Sequence, residues 1–584
     1  MYLYAGKILR VDLSAGTITD EPLNRDWLRQ FWGGWGLAAK YFTELANPAV
    51  DALDASTPMI FMTGALAGTL APLSGRFCMV SRSPQTGTIF ESNVGGSIGP
   101  ELKHAGYDGM IITGRAAGPV FISINDADVS IEDAGYLWGK PIFETEKALK
   151  AASGCPAAKS MAIGPAGENL IPFACVGSEA YRQFGRGGVG ALFGSKNLKG
   201  VVIRGTGGIR VADMEKFLSV ARTASAENLM TEANLWAKTD GTPLIVNVTN
   251  EMGLHPTRNF TYGVNEDFGA IGTESVKKAT ISQRACISCP LGCGKFTSVD
   301  GVAVEGPEYE TLCLGGSNCG MNDLGSIIKF NRTCDDWGVD TITTGATIAM
   351  AMDMKEMGLH DFGLEFGGKA EYLSVVEEIA TLSTDRGRDL ALGTRGLGEK
   401  YNAGHLAVNS KGLEFPAYDP RGNHGMGLAY ATSERGACHL RAFPLFSETP
   451  FDHEALVAEV VSGQNFNGIK WSMCICDFWG SVNSTILADL LSAALGETVT
   501  SEELDLAGER IWNLARLFNL KAGFTAKDDT LPDKILKTAL KKGPNDGSTM
   551  TSADLADMKQ RYYTSREWDS NGVPTQAKRA ALSL

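Results

Sequence analysis

The 584-residue sequence has no apolar run that approaches the ~18 residues needed to span a bilayer. Its first residues, MYLYAGKILRVDLSAG, lack the basic start and the apolar core of a secretory signal peptide, and no twin-arginine pair follows them. The 12 cysteines lack the regular spacing of a disulfide framework. These absences predict a protein of the reducing cytoplasm without a membrane anchor.

Positive charge is also scarce. Lys and Arg number 53 against 67 Asp and Glu, which gives a formal net charge of −14. Nucleic acids and anionic membrane surfaces select basic patches, so the balance argues against both as main partners. Apolar residues make up 44% of the chain, which is typical of a globular protein and sufficient for a large core.

The chain lacks internal repeats and long low-complexity segments, and its glycine-rich loops match neither the P-loop nor the dinucleotide-binding fingerprint. In the glycine-rich first third, KILRVDLSAGTIT predicts a hairpin that turns at Ala15–Gly16. PMIFMTG, FCMVSR and GMIITG predict further strands. FWGGWGLAAKYF and RQFGRGGVGALFGSKNLKG each predict a loop that leads into a helix, whose free N–H groups could bind an anion.

Helical periodicity dominates after about residue 210, for example in NDLGSIIKFNRTCDDWG and TITTGATIAMAMDMKEMG. From about residue 413 a glycine- and proline-punctuated stretch is followed by further helices such as SEELDLAGERIWNLARLFNL. We therefore predict an α+β fold in three parts. A β-rich domain covers residues 1–208, and two mainly helical domains cover residues 209–412 and 413–584.

The segment CISCPLGCGKF places three cysteines, Cys286, Cys289 and Cys293, in the spacing C-x2-C-x3-C. Three thiolates this close predict a metal or cluster site, but no second C-x2-C pair follows, as zinc ribbons usually require. A [4Fe–4S] cluster accepts a fourth thiolate from a distant part of the chain. The spacing favours iron–sulfur over zinc and leaves the fourth ligand open among six cysteines: Cys313, Cys319, Cys334, Cys438, Cys474 and Cys476.

Several segments in one order resemble the tungsten-containing aldehyde ferredoxin oxidoreductase family, as the catalytic subunit of bacterial type. They are FWGGWGLAAKY, LSGRFCMVSRSP, ESNVGGSIGPELKHAGYDGMIITG, RGGVGALFGSKNLKG, CISCPLGCGKF, GPEYETLCLGGSNCG, CDDWGVD and ATSERGACHLR. The resemblance implies one tungsten held by two pyranopterin dithiolenes beside a [4Fe–4S] cluster, with the N-terminal sheet domain as the base of the pterins.

The resemblance also implies a fourth cluster ligand. The family motif D-x-x-G-L-C-K-F aligns with WSMCICDF, so Cys476 joins Cys286, Cys289 and Cys293, while Cys474 takes the place of the motif glycine. Trp471 replaces the motif aspartate, so we expect one pterin hydrogen bond of the family to be lost or supplied by another group. The second motif copy, D-x-x-G-x-D, is intact from Asp335 to Asp340.

Further cofactor contacts follow from the same resemblance. Carboxylates would accept from the pterin ring, arginines and backbone N–H groups would bind its phosphates, and the backbone carbonyls of Asn93 and Gln183 would hold a Mg²⁺ between the phosphates. The implied cofactor-binding residues are Arg76, Asn93, Gly95, Arg182, Gln183, Gly185, Asp335, Val339, Asp340, Arg435, Gly436, Arg441, Ile475 and Asp477.

Glu310 of GPEYET and His439 of GACHLR match family residues beside the metal. In that frame Glu310 takes a proton from water as a general base, and His439 polarises the substrate carbonyl as a donor. Taken alone, each would be interpreted as an ordinary surface or structural residue, and Glu305 and Glu308 would be equally eligible carboxylates. The catalytic assignment therefore depends on the resemblance.

One departure concerns assembly. Where some family members join two subunits through a metal held by an E-x-x-H pair, this chain has KFNR, with Lys329 and Arg332. Two cations cannot replace a carboxylate and an imidazole, so we expect no interface metal. We expect instead that the chain pairs with a ferredoxin-like iron–sulfur subunit and a flavin subunit.

The leading functional hypothesis is a tungsten-dependent oxidoreductase that interconverts aldehydes and carboxylic acids, with electrons leaving through the [4Fe–4S] cluster to an iron–sulfur partner. A second is the catalytic subunit of a tungsten-dependent aromatic acyl-CoA reductase. A third, from another class, is a zinc-stapled binding protein without redox activity.

Overall fold

The computed structural model describes residues 1–584. The N-terminal part begins with a six-stranded sheet in the order β2-β1-β6-β3-β4-β5. Only β1 and β6 pair in parallel, and the other neighbours are antiparallel. The strands are β1 (Lys7–Asp12), β2 (Thr17–Pro22), β3 (Met59–Thr63), β4 (Phe77–Arg82), β5 (Ile89–Val94) and β6 (Gly109–Thr113).

A second six-stranded sheet has the order β11-β10-β9-β12-β7-β8, again with one parallel pair, β7 and β12. Its strands are β7 (Val120–Asn125), β8 (Asp128–Asp133), β9 (Lys159–Ala162), β10 (Val176–Ser178), β11 (Arg182–Phe184) and β12 (Leu198–Arg204). A three-stranded antiparallel sheet, β13 (Thr280–Arg284), β14 (Gly294–Val299) and β15 (Val302–Glu305), and a short pair, β16 (Asn409–Ser410) and β17 (Leu413–Glu414), complete the strands.

Strand β3 explains why the first sheet has continuous apolar segments. Successive side chains of a strand point to opposite faces. Phe61 belongs to a cluster of 28 buried apolar residues shared by the two large sheets, which also contains Ile122 and Val201. Ile60 belongs instead to the main cluster of 84 residues, together with Trp35 and Phe42. Both faces of β3 are therefore buried, and its sequence MIFMT needs no polar alternation.

The remaining chain is mainly helical. Six helices accompany the sheets: α1 (Arg25–Phe31), α2 (Gly34–Leu45), α3 (Ile98–His104), α4 (Ile142–Ala152), α5 (Pro165–Glu168) and α6 (Val189–Ser195). Ten follow before residue 401: α7 (Met214–Thr223), α8 (Glu232–Thr239), α9 (Leu244–Glu251), α10 (Thr273–Ala279), α11 (Tyr309–Thr311), α12 (Leu324–Trp337), α13 (Thr341–Glu356), α14 (Ser374–Thr381), α15 (Asp385–Leu390) and α16 (Gly393–Lys400). Seven end the chain: α17 (His424–Thr432), α18 (His453–Ser472), α19 (Ser484–Leu495), α20 (Ser501–Lys521), α21 (Asp533–Lys537), α22 (Ser552–Ser565) and α23 (Gln576–Ala581).

No helix combines the length and the apolar character that crossing a bilayer requires. Helix α13 is buried on all sides over almost its whole length, while α18 packs on α20, α22 and α2. The C-terminal end of α18 enters the segment that carries Cys474 and Cys476, so the helical part positions that segment against the first sheet.

The predicted α+β class is confirmed, with two six-stranded sheets before a mainly helical region. The predicted hairpin is formed by β1 and β2, and the three apolar segments after it form β3, β4 and β6. The two glycine loops lead into α2 and α6 as predicted. The domain boundaries at residues 208 and 412 stay predictions.

Candidate active site

A cavity of about 1020 Å³ lies where the sheets meet the helical region. Pockets for drug-sized ligands span about 300–1,000 Å³, so this one has room for a large group. All four candidate cluster cysteines line it, as do Glu310 and His439. Nine of the predicted cofactor-binding residues also line it: Arg76, Gly95, Arg182, Gln183, Gly185, Asp335, Val339, Asp340 and Asp477.

The cysteine triplet lies in the loop between β13 and β14. That loop is docked on the N-terminal part, because the Ile287 N–H donates to the Gly96 carbonyl (3.2 Å) and the Gly96 N–H donates to Cys286 Sγ (3.2 Å). A Cβ at Gly95 would lie 3.0 Å from the same sulfur, so glycine permits this close approach. The spacing of the triplet is local, but its position in the cavity depends on the first sheet.

Leu73 joins the triplet loop to the segment of Cys476. Its N–H donates to the Ser288 carbonyl (3.0 Å), and its carbonyl accepts from the Cys476 N–H (3.1 Å). Arg76, three residues further on, donates from Nη2 to Cys476 Sγ (3.2 Å). Of the six cysteines that the spacing left open, Cys476 alone lines the cavity with the triplet.

Cys474 lies elsewhere. Its side chain is fully buried in the main hydrophobic core, and its φ of 55° is in the left-handed region that favours glycine. This backbone conformation agrees with the alignment of Cys474 to a motif glycine. Cys313, Cys319, Cys334 and Cys438 are buried as well, and none of them lines the cavity.

Trp471 is 1% exposed and does not line the cavity. The guanidinium of Arg76 lies over its ring, 5.5 Å from the centroid, in a cation–π arrangement. The indole Nε1 has no hydrogen-bond partner in the chain, although buried tryptophans usually find one. The motif aspartate is thus replaced by a side chain that stacks on Arg76 and can only donate a hydrogen bond.

Burial raises the pKa of the Cys289 thiol and, more strongly, that of the Cys293 thiol. Such thiols keep their protons unless a positive charge replaces them, as a coordinated metal does. Arg182 and Arg76 supply further positive charge beside the cysteines. The four candidate thiols, with Arg76 and Arg182 beside them, fit an anionic iron–sulfur cluster.

Glu310 and His439 face each other across 3.7 Å between Oε1 and Nδ1. Both atoms are buried and neither has a hydrogen-bond partner in the chain. The other carboxylate oxygen of Glu310 accepts from the Ala417 N–H (2.9 Å), which fixes the side chain. The gap is too long for a direct hydrogen bond, but one water or substrate oxygen can contact both atoms.

Burial sets the protonation of this pair. It raises the pKa of Glu310 to about 8, against the opposing effects of the Ala417 N–H and Arg186. It lowers the pKa of His439 to about 3, and the charges of Arg186 and Arg435 lower it further. At neutral pH the imidazole is therefore neutral, and most of the Glu310 carboxyl is protonated. Such opposed shifts in a cavity are typical of catalytic acid–base groups.

Asp335 is the carboxylate best suited to receive donors from a bound heterocycle. It accepts from Gln183 Nε2 (3.1 Å) and Asn331 Nδ2 (3.2 Å), and burial raises its pKa well above the usual range. No cation is paired with it in the chain, so a ligand that donates to it would satisfy its remaining acceptor sites. Val339 lines the cavity beside it.

Both carboxylate oxygens of Asp340 already have hydrogen-bond partners within the chain. It caps α13 by accepting from the Ile342 and Thr343 N–H groups, and it pairs with Arg186 Nε at 3.1 Å. Sequence reasoning missed Arg186, which lines the cavity and also donates to the carbonyls of Glu414 and Ala437. Its neighbour in RQFGRGG, Arg182, was chosen because of the resemblance, and only tertiary contacts distinguish the two arginines.

Two ion pairs line the cavity near the cysteines. Arg182 pairs with Glu305, whose pKa burial raises to about 7, and Asp477 pairs with Lys470 at 2.6 Å. Glu305, Lys470 and Asn331 were not predicted as site residues. No motif marks them, because they reach the cavity from separate segments of the chain.

Five predicted cofactor contacts do not line this cavity: Asn93, Arg435, Gly436, Arg441 and Ile475. Arg435 and Arg441 form buried ion pairs with Glu91, and Arg441 also pairs with Glu434 (2.7 Å). Unpartnered buried atoms remain there on Asn93, Glu91 and both arginines. A phosphate bound by these arginines would compete with their ion pairs, so their role stays a prediction.

On α12, Lys329 pairs with Asp300 (2.8 Å), and Arg332 lies over the ring of Phe143, 4.0 Å from its centroid. Both cations are thus engaged within the chain. The expected lack of an interface metal stays a prediction.

Family models match most of the chain. The model for the aldehyde ferredoxin oxidoreductase N-terminal domain matches residues 8–205, and that for domains 2 and 3 of the same family matches residues 220–584. Among solved structures, the chain resembles the active site complex BamBC of benzoyl coenzyme A reductase with 1,5-dienoyl-CoA. The TM-score is 0.86 at 23% identity, covering 100% of this chain and 97% of that one, which supports the fold alone.

Curated relatives match over the whole length. The tungsten-containing aldehyde ferredoxin oxidoreductase of Pyrococcus abyssi is 40% identical, and that of Pyrococcus furiosus is 39% identical, each covering 100% of this chain and 99% of the relative. A more distant relative, the WOR-like subunit of an aliphatic sulfonate oxidoreductase of Pyrococcus furiosus, is 28% identical over 99% of this chain and 96% of that protein. Sequence, fold and site thus agree: the chain belongs to the aldehyde ferredoxin oxidoreductase family and is an oxidoreductase.

Proposed function

We propose that this chain interconverts aldehydes and carboxylic acids and passes the electrons singly through a [4Fe–4S] cluster to an iron–sulfur partner. Family membership implies tungsten–pterin and iron–sulfur cofactors. The observation that carries the proposal is the pair of unpartnered, buried atoms on Glu310 and His439, 3.7 Å apart in the cavity that also contains the four cysteines. Membership also weighs against the zinc-stapled, non-redox alternative.

Different residues would bind the cluster, the pterins and Mg²⁺. Cys286, Cys289, Cys293 and Cys476 would bind the cluster, and Arg76 would sit between the cluster and the pterins. Asp335 would accept hydrogen bonds from a pterin. The backbone carbonyl of Gln183 would hold Mg²⁺ together with that of Asn93, which lies outside the cavity lining. When bound, the tungsten bis-pyranopterin supplies two-electron redox chemistry and the cluster supplies a one-electron relay.

Oxidation of an aldehyde adds one water oxygen and releases two electrons and two protons. Ionised Glu310 accepts a proton from that water through Oε1, while its other oxygen stays bound to the Ala417 N–H. Neutral His439 donates a hydrogen bond that orients and polarises the carbonyl oxygen. In the reverse direction, protonated Glu310 returns the proton.

Aromatic side chains border the same end of the cavity. The ring of Tyr418 is tilted against that of His439, with centroids 5.3 Å apart, and Phe443 packs edge-on against both rings. Phe446 follows Phe443 and is 64% exposed. A row of rings from solvent to His439 favours aldehydes with an apolar or aromatic substituent and displaces loose water from the reacting group.

Electrons must leave through something outside the chain, because one cluster carries one electron and no dinucleotide-binding fingerprint is present. Ile287, between two cluster cysteines, is 37% exposed, and Ile281 on β13 is 63% exposed. These exposed apolar residues beside the triplet would form the docking surface for a ferredoxin-like iron–sulfur subunit, which would pass the electrons to a flavin subunit.

The test uses the purified holoenzyme with tungsten and iron contents determined. Aliphatic and aromatic aldehydes are assayed with a viologen acceptor, and acids with reduced viologen. Turnover of aldehydes by the wild type, and its loss in Glu310→Gln at equal tungsten and iron content, would support the proposal. A fully loaded enzyme that turns over no aldehyde would refute it.

An aromatic acyl-CoA reductase is the second candidate, favoured by the aromatic row and by the fold shared with the benzoyl coenzyme A reductase complex. Viologen-dependent reduction of benzoyl-CoA, without aldehyde turnover, would decide for it. Turnover of aldehydes with no reaction of benzoyl-CoA would decide against it.

A further inference from the structure

A cluster of histidine and aspartate side chains lies outside the cavity. His424 begins α17, His453 begins α18 and Asp554 lies in the first turn of α22. One potential ligand atom of each lies within 4.8 Å of the others. His424, interpreted from the sequence as a turn residue, is only 6% exposed.

In each imidazole ring, the nitrogen that faces away from the other histidine contacts a group that can only accept a hydrogen bond. His424 Nε2 lies 2.9 Å from the Thr549 carbonyl, so it must carry a proton. His453 Nδ1 lies 2.7 Å from Asp557 Oδ2, and Arg561 holds that carboxylate at 3.0 Å. His453 Nδ1 therefore carries a proton as well. In neutral imidazoles the two remaining nitrogens are then acceptors.

These two acceptors face each other. His424 Nδ1 and His453 Nε2 are 3.2 Å apart, so when both imidazoles are neutral their two lone pairs face each other and can bind one cation. Zinc bonds to imidazole nitrogen are about 2.0–2.1 Å long, so two nitrogens on one tetrahedral ion lie about 3.3 Å apart. We propose that His424, His453 and Asp554 bind one divalent transition-metal ion of the zinc type.

The surroundings fit such an ion. Asp554 uses Oδ2 to accept from the Thr551 N–H and hydroxyl, which orients the carboxylate and leaves its other oxygen without a partner in the chain. Asp557 behind His453 and the Thr549 carbonyl behind His424 orient the rings, as outer partners do in most histidine metal sites. Two imidazoles, one carboxylate and a water complete four-coordination.

The ion would stabilise the segment that forms one wall of the active-site cavity. His424 and His453 are 29 residues apart, and the chain between them carries His439, Phe443 and Phe446. Joining the two ends closes this segment into a loop and ties it to α22. The bound ion would thus hold the aromatic row and His439 in place without touching substrate.

The test measures zinc in the holoenzyme after equilibration with Zn²⁺ and removal of free metal, with iron and tungsten determined in the same samples. We expect about one zinc per chain, reduced more than tenfold in His424→Gln and His453→Gln. His405→Gln, an exposed histidine outside the cluster, is the matched control and retains the zinc. Asp557→Asn should weaken binding about 10–100-fold against a chromophoric chelator.

Hydrogen exchange of residues 440–452 should be slower with Zn²⁺ in the wild type and unchanged in His453→Gln. The proposal fails if the wild type, with iron and tungsten intact, retains no zinc; the imidazoles then share a proton instead. It also fails if the histidine variants bind zinc as the wild type does. If these variants do not fold, unchanged affinity in Asp557→Asn, whose side chain is 45% exposed, is enough to overturn it.

Discussion

Arg76 donates a hydrogen bond to Cys476 over 3.2 Å, although the two residues are 400 positions apart. Arg76 precedes β4 of the first sheet, and Cys476 follows α18 in the helical region. A guanidinium on a cysteine sulfur stabilises the thiolate that a cluster requires. The contact therefore joins the two halves of the chain at the point where the cluster would bind.

Replacing Cys476 should remove the cluster. Cys476→Ala leaves only three of the four proposed ligand thiols, so we expect an iron content well below four per chain and loss of the low-temperature electron paramagnetic resonance signal of the reduced cluster. Cys474→Ala is the matched control, because Cys474 packs in the core and does not line the cavity. An unchanged signal in Cys476→Ala would exclude it as a ligand.

Glu310→Gln should retain both cofactors but lose about 10²–10⁴-fold in kcat/KM for aldehydes, the range typical of a general acid–base group. The amide keeps the shape and the contact with Ala417 but cannot take up a proton. Glu215→Gln, an exposed carboxylate on α7, is the control and should behave as the wild type. A near-native rate at full metal content would make Glu310 structural.

The pH dependence of kcat/KM should follow the ionisation of the Glu310 carboxyl. Its pKa is raised to about 8, and the base form acts in oxidation, so kcat/KM for aldehydes should rise about tenfold per pH unit below 8 and level off above it. Reduction of acids needs the protonated form and should decline above pH 8. Because the pKa of His439 is about 3, its titration should not change kcat/KM between pH 5 and 9. Stopped assays across this range check both directions, and an oxidation profile that is flat there would contradict the assignment.

Substitutions of Trp471 measure how this departure from the family motif affects the stability of the protein. Trp471→Phe should cost less than about 1.5 kcal/mol, because the lost Nε1 has no partner in the chain. Trp471→Asp restores the motif residue but removes a buried indole and buries a carboxylate, so it should cost about 3–5 kcal/mol. Apparent Tm values should fall in that order. A Trp471→Phe variant that is destabilised as much as Trp471→Asp would contradict this order.

The partner dock can be tested on the surface. Ile281→Glu places a charge on a 63% exposed residue near the triplet and should slow reduction of a ferredoxin by at least several-fold, while the viologen rate stays the same. Leu506→Glu, 43% exposed on α20, is the control. Equal ferredoxin rates in wild type and Ile281→Glu would place the dock elsewhere. Full-rate NAD⁺ reduction by the isolated chain would show that no partner is needed.

Much of the local structure could be predicted, since it depends on short-range patterns. The hairpin of β1 and β2, the apolar strands β3, β4 and β6 and the helices α12 and α20 follow the residue patterns of their own segments. The resemblance singled out Cys476, Glu310 and His439, and all three line the same cavity. Arg186 was missed because its contacts with Asp340, Glu414 and Ala437 come from distant segments.

The sequence by itself determined the α+β class, the spacing of Cys286, Cys289 and Cys293, and the family. These depend on neighbours along the chain or on segments in a constant order. Tertiary structure decided that Cys476 lines the cavity with the triplet, which of Arg182 and Arg186 pairs with Asp340, and that Arg435 and Arg441 pair with Glu91 outside the cavity. It also raised the pKa of Glu310 and brought His424 and His453 together, because burial and distance between remote residues exist only once the chain is packed.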